Sequence, residues 1–316
     1  MTPGRVAATV AVVAVLGAAT WFVDPFTLGG WSRVLALGLL AASVAVLTGP
    51  AGLPSLGQVA PYAVGAYTAA LLARAGVTTG PVQLLAAAGA AAVFSAIVGV
   101  VVVRTRGIVF LMVTLAVAEL TAIAADQLSL TGGSDGLAGI PATRPWWGAA
   151  PLDDDRAVYA YTLAVALSAL AVTWLILRSP TGLLLRGIRD HEPRMRASGH
   201  PVTRYLLVAY VASGVLAGLG GALLVTGQRY VSPQDVGFEV AALTLLAVTL
   251  GGAMSLAGAV AAVAVVESVR SWASVAAPGD GPLLLGLLFV AAVYLVPGGV
   301  AETLTFLRRR LRAGSS

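Results

Sequence analysis

Apolar residues come in long runs along this chain, and polar positions are concentrated in the breaks between them. Ten runs stand out, at 6–23, 34–48, 61–77, 82–103, 108–125, 158–177, 206–226, 236–250, 258–272 and 283–299. Crossing the hydrocarbon layer of a bilayer takes about 20 apolar helical residues, so the pattern predicts an all-α, polytopic transmembrane bundle of about ten spans. The runs 34–48 and 236–250 are short for a perpendicular crossing and predict broken helices, or chain that enters the membrane where protein lines it. The run 6–23 follows a single arginine and precedes Asp24 and Pro25 rather than a small-residue cleavage site, so it reads as a span and not as a removable leader. One transmembrane domain over 1–316 is expected, with an outer loop at 126–157 and a polar segment at 178–205 inside it.

Composition agrees with this. Of 316 residues, 58% are hydrophobic and 10% charged, and the mean hydropathy is +0.91. A water-soluble fold cannot cover that much apolar surface with so few ionised groups. There are no cysteines, which excludes disulfides, thiolate metal sites and cysteine nucleophiles. All 19 basic residues are arginine. With ten spans and an inner N-terminus, thirteen of them fall inside (Arg5, Arg104, Arg106, Arg178, Arg186, Arg189, Arg194, Arg196, Arg204, Arg308, Arg309, Arg310, Arg312), and six outside (Arg33, Arg74, Arg144, Arg156, Arg229, Arg270). That bias predicts both termini on the cytoplasmic side. It also explains the basic balance without nucleic acid.

The stretch 178–204 is too polar to enter lipid and too long for a tight connection. Asp190 can cap a short helix at about 190–198, Glu192 and Pro193 suit its first turn, and Gly199 can end it in a left-handed conformation. Arg194 and Arg196 follow Asp190 and Glu192 by four residues, a favourable acid-before-base spacing. A topological anchor needs only the arginines, whereas a docking element needs the helix too. His191 and His200 are nine apart with no third ligand nearby, so no metal site is expected. In the run 206–226, Gly214, Gly218 and Ala222 recur every four residues, as do Ser213, Ala217 and Gly221, and both stripes allow close helix approach.

Ser55 and Gln58 lie among Gly52, Pro54, Gly57 and Pro61, just ahead of Tyr62 and Tyr67. A helix broken there offers backbone and amide groups to a polar solute, or only to its own kink. The fragments 52–56 and 252–256, GLPSL and GAMSL, hint at a repeat. Glu119 is the deepest carboxylate. It must face protein or water, hydrogen-bonded to a threonine or the backbone, or carry a coupling proton. Glu267 and Arg270 are spaced to pair with each other. The outer loop carries Thr131, Gly132, Gly133 and Asp135 in a turn-rich LTGGSDG, followed by Trp146 and Trp147. The chain has no phosphate-binding Gly-rich loop with lysine and no paired-carboxylate centre, so it is not expected to be an enzyme.

Four blocks resemble a known family. They are GLPSLGQVAPYAVGAYTAALL at 52–72, TRGIVFLMVTLAVAEL with the following LTGGSDGLAGIP, the stretch SPTGLLLRGIRDHEPRMRASGHPVTRYLLVAYVASGVLAGLGGAL at 179–223, and YVSPQDVGFEVAALTLLAVTLGGAMSLAGAV at 230–260. In order and spacing they are similar to the LivM-type permease subunits of bacterial branched-chain amino acid ABC importers. The resemblance implies a multi-pass subunit of the bacterial inner membrane, paired with a second permease, either a related chain or another copy. Two cytoplasmic ATPases would carry ATP and Mg2+, an extracytoplasmic binding protein would deliver solute, and this chain would bind no cofactor itself. It assigns ATPase coupling to Gly187, Arg189, Asp190, His191, Glu192, Arg194, Arg196 and Gly199. With the helix break and the turn-rich outer loop read above, the substrate pathway is expected to run past Ser55, Gln58, Tyr62, Tyr67, Thr131, Gly132, Gly133 and Asp135. Where the family has two small residues after the acidic pair, this chain has Pro193 and Arg194, which implies a dedicated ATPase. Relatives of similar framework carry urea or short amides, and an ion-coupled transporter using Glu119 is the other alternative.

Overall fold

The computed structural model describes residues 25–276 and Gly286, so the run predicted at 6–23, and that at 283–299 apart from Gly286, lie outside the described residues. Among the described residues there are nine α-helices: α1 (Pro25–Thr48), α2 (Val59–Arg74), α3 (Gly80–Val102), α4 (Gly107–Gln127), α5 (Asp155–Arg178), α6 (Pro180–Ala197), α7 (Val202–Gln228), α8 (Phe238–Gly251) and α9 (Leu256–Ala276). Short 3-10 turns at Ser129–Thr131, Gly133–Asp135 and Pro233–Val236 shape the loops. The protein is an all-α polytopic bundle.

Eight predicted runs map onto α1–α5 and α7–α9, with one substantive correction. The run 34–48 is not a short or broken span, because α1 begins at Pro25 and has 24 residues. Gly29, Gly30, Ser32 and Arg33 dilute its hydropathy without breaking its backbone, and the Ser32 hydroxyl simply donates to the Leu28 carbonyl at 3.1 Å. α8 is short, with 14 residues, or about 21 Å of helix.

Burial sorts the helices. In the most apolar stretch of each, 83% of α1 and 72% of α7 is enclosed, against 28% for α3 and α4 and 17% for α5. α1 and α7 form the centre, with α2, α8 and α9 packed around them in one continuous core. Both small-residue stripes of α7 are buried. A Cβ on Gly218 would run into Ala91 of α3, and one on Gly221 into the Tyr62 carbonyl of α2. The backbones touch because nothing stands between them. The outward faces of α3 and α4 carry Leu85, Val93, Ile97, Ile108, Met112 and Leu120, all exposed, as helices in contact with lipid or another membrane chain do.

Polar contacts gather at the two ends. At one, Arg106 meets Glu192 and Arg189 meets Met254. At the other, Arg229 meets Asp153, the 79–144 bridge forms, and Arg33 lies near Asp235 and Glu267. Among the described residues, these contacts join residues that the arginine bias assigns to the same side.

Candidate functional site

Beyond Thr48 the chain leaves the helix but stays inside the protein. Positions 49–51, 53 and 55–58 are all buried. Their polar groups are partly satisfied locally: Leu53 N–H donates to the Leu47 carbonyl at 2.9 Å, Gly57 N–H to Ser55 Oγ at 3.1 Å, and Leu56 N–H to Thr114 Oγ1 at 3.4 Å. Thr114 lies seven residues into α4, so at 1.5 Å per residue the break reaches about 10 Å into the bundle. A Cβ on Gly57 would come 2.8 Å from Thr114 Cβ, so only glycine lets the break lie this close to α4. α2 therefore starts inside the bundle, on protein-lined irregular backbone.

Gln58 sits at that start, fully enclosed, and neither its Oε1 nor its Nε2 has a hydrogen-bond partner. The Tyr62 hydroxyl, one turn on along the same face, is equally buried and unpaired. So is the Tyr67 hydroxyl, but five residues after Tyr62 it points about 140° away around the helix. Ser55 is already engaged as the acceptor for Gly57. Orphaned buried polar groups cost about 1–3 kcal/mol each. A place that keeps several of them suits a polar visitor or water.

The outer-loop residues form a separate feature. Thr131 Oγ1 donates to the Ala125 and Leu128 carbonyls at 2.6 and 2.7 Å, closing the end of α4. Gly132 and Gly133 have positive φ (81° and 61°), and a Cβ on Gly132 would strike the Gly136 carbonyl, so the turn is built for glycine. The Asp135 carboxylate is exposed, while its backbone carbonyl accepts from the Tyr230 hydroxyl at 3.0 Å. The eight pathway residues thus divide into the enclosed set on α2 and the break before it, and an outer turn.

At the opposite end, the predicted 190–198 helix is corrected in extent and in its cap. α6 runs from Pro180 to Ala197 and is kinked at His191, whose backbone (φ −157°, ψ 76°) is not helical. Asp190 closes the first half, and His191 takes the capping position before Glu192. Pro193, lacking an N–H, sits within the turn that begins the second half. The end is as expected: Gly199 has φ +82°, its N–H donates to the Arg196 carbonyl at 3.0 Å, and His200 N–H reaches back to Met195 at 3.2 Å. The kink turns the second half back on the first, so that a Cβ on Gly187 would lie 3.2 Å from Met195 Sδ. His200 rests edge-on against Tyr205.

Of the two expected ion pairs, Glu192 with Arg196 forms at 2.7 Å. Asp190 with Arg194 is absent from the ion pairs among the described residues, because the kink lies between them. Sequence spacing missed the stronger partner, Arg106, which is 86 residues away. Its Nε and Nη2 donate to both Glu192 oxygens at 2.9 and 3.1 Å, and its Nη1 donates to the Val103 and Thr105 carbonyls. The paired bonds from Arg106, with Arg196 adding to them, hold the Glu192 carboxyl below the usual carboxylate range against the opposing effect of partial burial. The TRG turn between α3 and α4 is thereby riveted to α6. Arg189 extends from α6 over Gly52, where a Cβ would be 2.8 Å from its Cγ, and donates toward Met254 Sδ at 2.7 Å. α6 thus touches both the break before α2 and the turn between α8 and α9.

Glu119 is half-buried on α4, and its Oε1 has no hydrogen-bond partner, so the expected bond to threonine or backbone does not form at that oxygen. Glu267 and Arg270 do pair, at 3.9 Å, but each also has another partner.

The chain is 32% identical over 239 residues to the high-affinity branched-chain amino acid transport system permease protein LivM of Salmonella typhimurium strain LT2. It is 32% identical over 240 residues to the protein of the same name from Escherichia coli strain K12. In both comparisons the match covers 68% of this chain and 56% of the relative. No solved structure matches significantly. The family model described as "Branched-chain amino acid transport system / permease component" matches residues 26–296, which contain the interrupted α1–α2 connection, the kinked α6 and the glycine-striped α7, and the chain belongs to that family.

Proposed function

We propose that this chain is a non-catalytic permease subunit of an ATP-driven importer that moves branched-chain or other hydrophobic amino acids into the cytoplasm. The observation that carries this reading is a helix, α2, that begins inside the bundle with the Gln58 amide unpaired, while the break before it is touched by an α6 anchored on the same end. A solute with both donors and acceptors meets unpaired groups there, and movement of α6 reaches the break through Arg189. In this reading the end bearing α6 faces the cytoplasm with both termini, two ATPases supplied with ATP and Mg2+ grip the segment 187–199, a second permease completes the pathway, and a binding protein docks on the loops around Asp135. Purifying the chain with its bound subunits from its native membrane, and measuring ATP-dependent uptake of leucine, isoleucine, valine and urea in vesicles, tests the reading. Uptake of urea but of none of the amino acids would replace the substrate class.

A second reading, ion-coupled transport through Glu119, rests on its unpartnered Oε1. It requires uptake driven by a proton gradient without ATP, and loss of uptake in Glu119→Gln. The importer reading expects Glu119→Gln to keep most of its ATP-dependent uptake.

A further inference from the structure

We propose that the break before α2 and the turn before α9 together form the gate on the α6 side of the pathway, and that Arg189 is the latch that holds it shut. This rests on the importer reading and adds a moving part to it. The matching fragments GLPSL and GAMSL mark the two places. α1 leads into one and α8 into the other, both arriving from the end that carries Arg33 and Glu239, and α2 and α9 lead back toward it. Each is an elbow of the same make. Gly52 has φ +69° and Gly252 has φ +85°, and three residues on a serine hydroxyl accepts a backbone N–H at the start of the next helix. Ser55 Oγ accepts from Gly57 at 3.1 Å, and Ser255 Oγ from Gly258 at 3.0 Å. The elbows also touch: a Cβ on Gly49 would run into the Ala253 carbonyl, so no space is left between the two backbones there. Gln58 lies at the deep end of the first elbow, and a solute leaving it toward the α6 side passes this contact.

One side chain spans both elbows. The stem of Arg189 lies over Gly52, with its Cγ 2.8 Å from where a Cβ would stand, and its Nη1 donates toward Met254 Sδ at 2.7 Å. Arg189 takes part in no ion pair among the described residues. A thioether is a weak acceptor, so this hold is lighter than the charged fork three residues on, where Arg106 grips both oxygens of Glu192. α6 therefore has a fixed point at Glu192 and a releasable one at Arg189, with the kink at His191 between them. Rotation about the fixed point lifts one arm from both elbows at once. A permanent tie in this protein uses a carboxylate, whereas Arg189 meets only sulfur and glycine.

The test uses the chain assembled with its bound subunits in vesicles that expose the α6 side. Gln58→Cys places a thiol behind the gate, and Ser213→Cys places one in the enclosed contact of α7 with Ser43 of α1. A small impermeant thiol reagent should label Gln58→Cys slowly. Adding Arg189→Ala or Met254→Ala should speed that labelling about tenfold with unchanged subunit composition, and adding Arg189→Lys, which keeps the stem and a donor, should not. Ser213→Cys should stay slow throughout, since a general loosening of the bundle would expose both thiols alike. Without an added cysteine, Arg189→Ala should lower ATP-dependent uptake about tenfold. Labelling of Gln58→Cys that ignores the latch, parallel acceleration at Ser213→Cys, or uptake equal to the parent in Arg189→Ala overturns the gate and leaves the importer reading standing. A parent complex that imports none of leucine, isoleucine, valine and urea overturns both.

Discussion

Gln58 is enclosed and bonds to nothing, so its effects on stability and on transport should have opposite signs. Gln58→Leu removes two orphaned polar atoms, which relieves about 1–3 kcal/mol for each. It should therefore raise the melting temperature of the purified complex while lowering uptake at limiting substrate about tenfold, the loss expected when a polar handle is removed. A fall in melting temperature, or uptake equal to the parent, would take Gln58 out of the pathway. Glu192 gives a prediction in pH. Its carboxyl is held low by Arg106, so the stabilisation is fully present above the ordinary carboxylate pKa of about 4.3 and is lost only as pH falls through the lower, folded-state value. ATPase co-purification should hold steady from neutral pH down to about pH 5, and Glu192→Gln should weaken it at every pH in that window. Loss of association between neutrality and pH 5 in the parent would mean that Glu192 does not govern the contact. The sequence pointed to Gln58 because Gly57 and Pro61 flank it, and to Arg196 because helical spacing is local. It could not reveal Arg106 as a partner, since no spacing rule spans 86 residues.

At the scale of the element, α6 is two short helices set by one residue at each turn. Gly199 has open space around its α-carbon, so a substitution there is felt through the backbone and not through a clash. A β-branched residue at φ +82° is strained by about 1–3 kcal/mol, whereas asparagine visits the left-handed region readily. Gly199→Val should reduce substrate-stimulated ATP hydrolysis by the assembled complex, and Gly199→Asn should stay near the parent. If both behave as the parent, the segment is a charged tether and not a coupling helix. The C-terminal glycine was legible because left-handed helix ends favour it in any context. The kink was not, because whether Asp190 or His191 leaves the helix depends on Arg106 holding Glu192 and on Met195 folding against Gly187, both contacts made in three dimensions. The length of α1 was hidden for a related reason: Gly29 to Arg33 look like a break in a hydropathy profile, but the helix runs on through them with Ser32 buried and Gly30 and Trp31 exposed.

For the whole molecule, the arginine bias foretold which loops share an end, because insertion acts on charge that can be read residue by residue. Which helices lie inside could not be read that way, since the most apolar ones are not the most enclosed. Mean hydropathy over the best stretch is 2.4 in α3 and 2.3 in α4, both largely open, but 1.7 in the enclosed α1, while α2 has only 16 residues. The two helices that bilayer partitioning favours most are thus peripheral, while α1 and α2, less apolar or shorter, pack against α7 at the centre. Biogenesis then cannot follow chain order alone: α2 has to await α7, made more than a hundred residues later, before its place is secure. The chain has no native cysteine, so a single one substituted for Thr78, beyond the far end of α2, reports on this without background. An impermeant thiol reagent added from outside should label it well in full-length chains and poorly in chains that stop after α4. Equal labelling of the two would show that α2 crosses unaided.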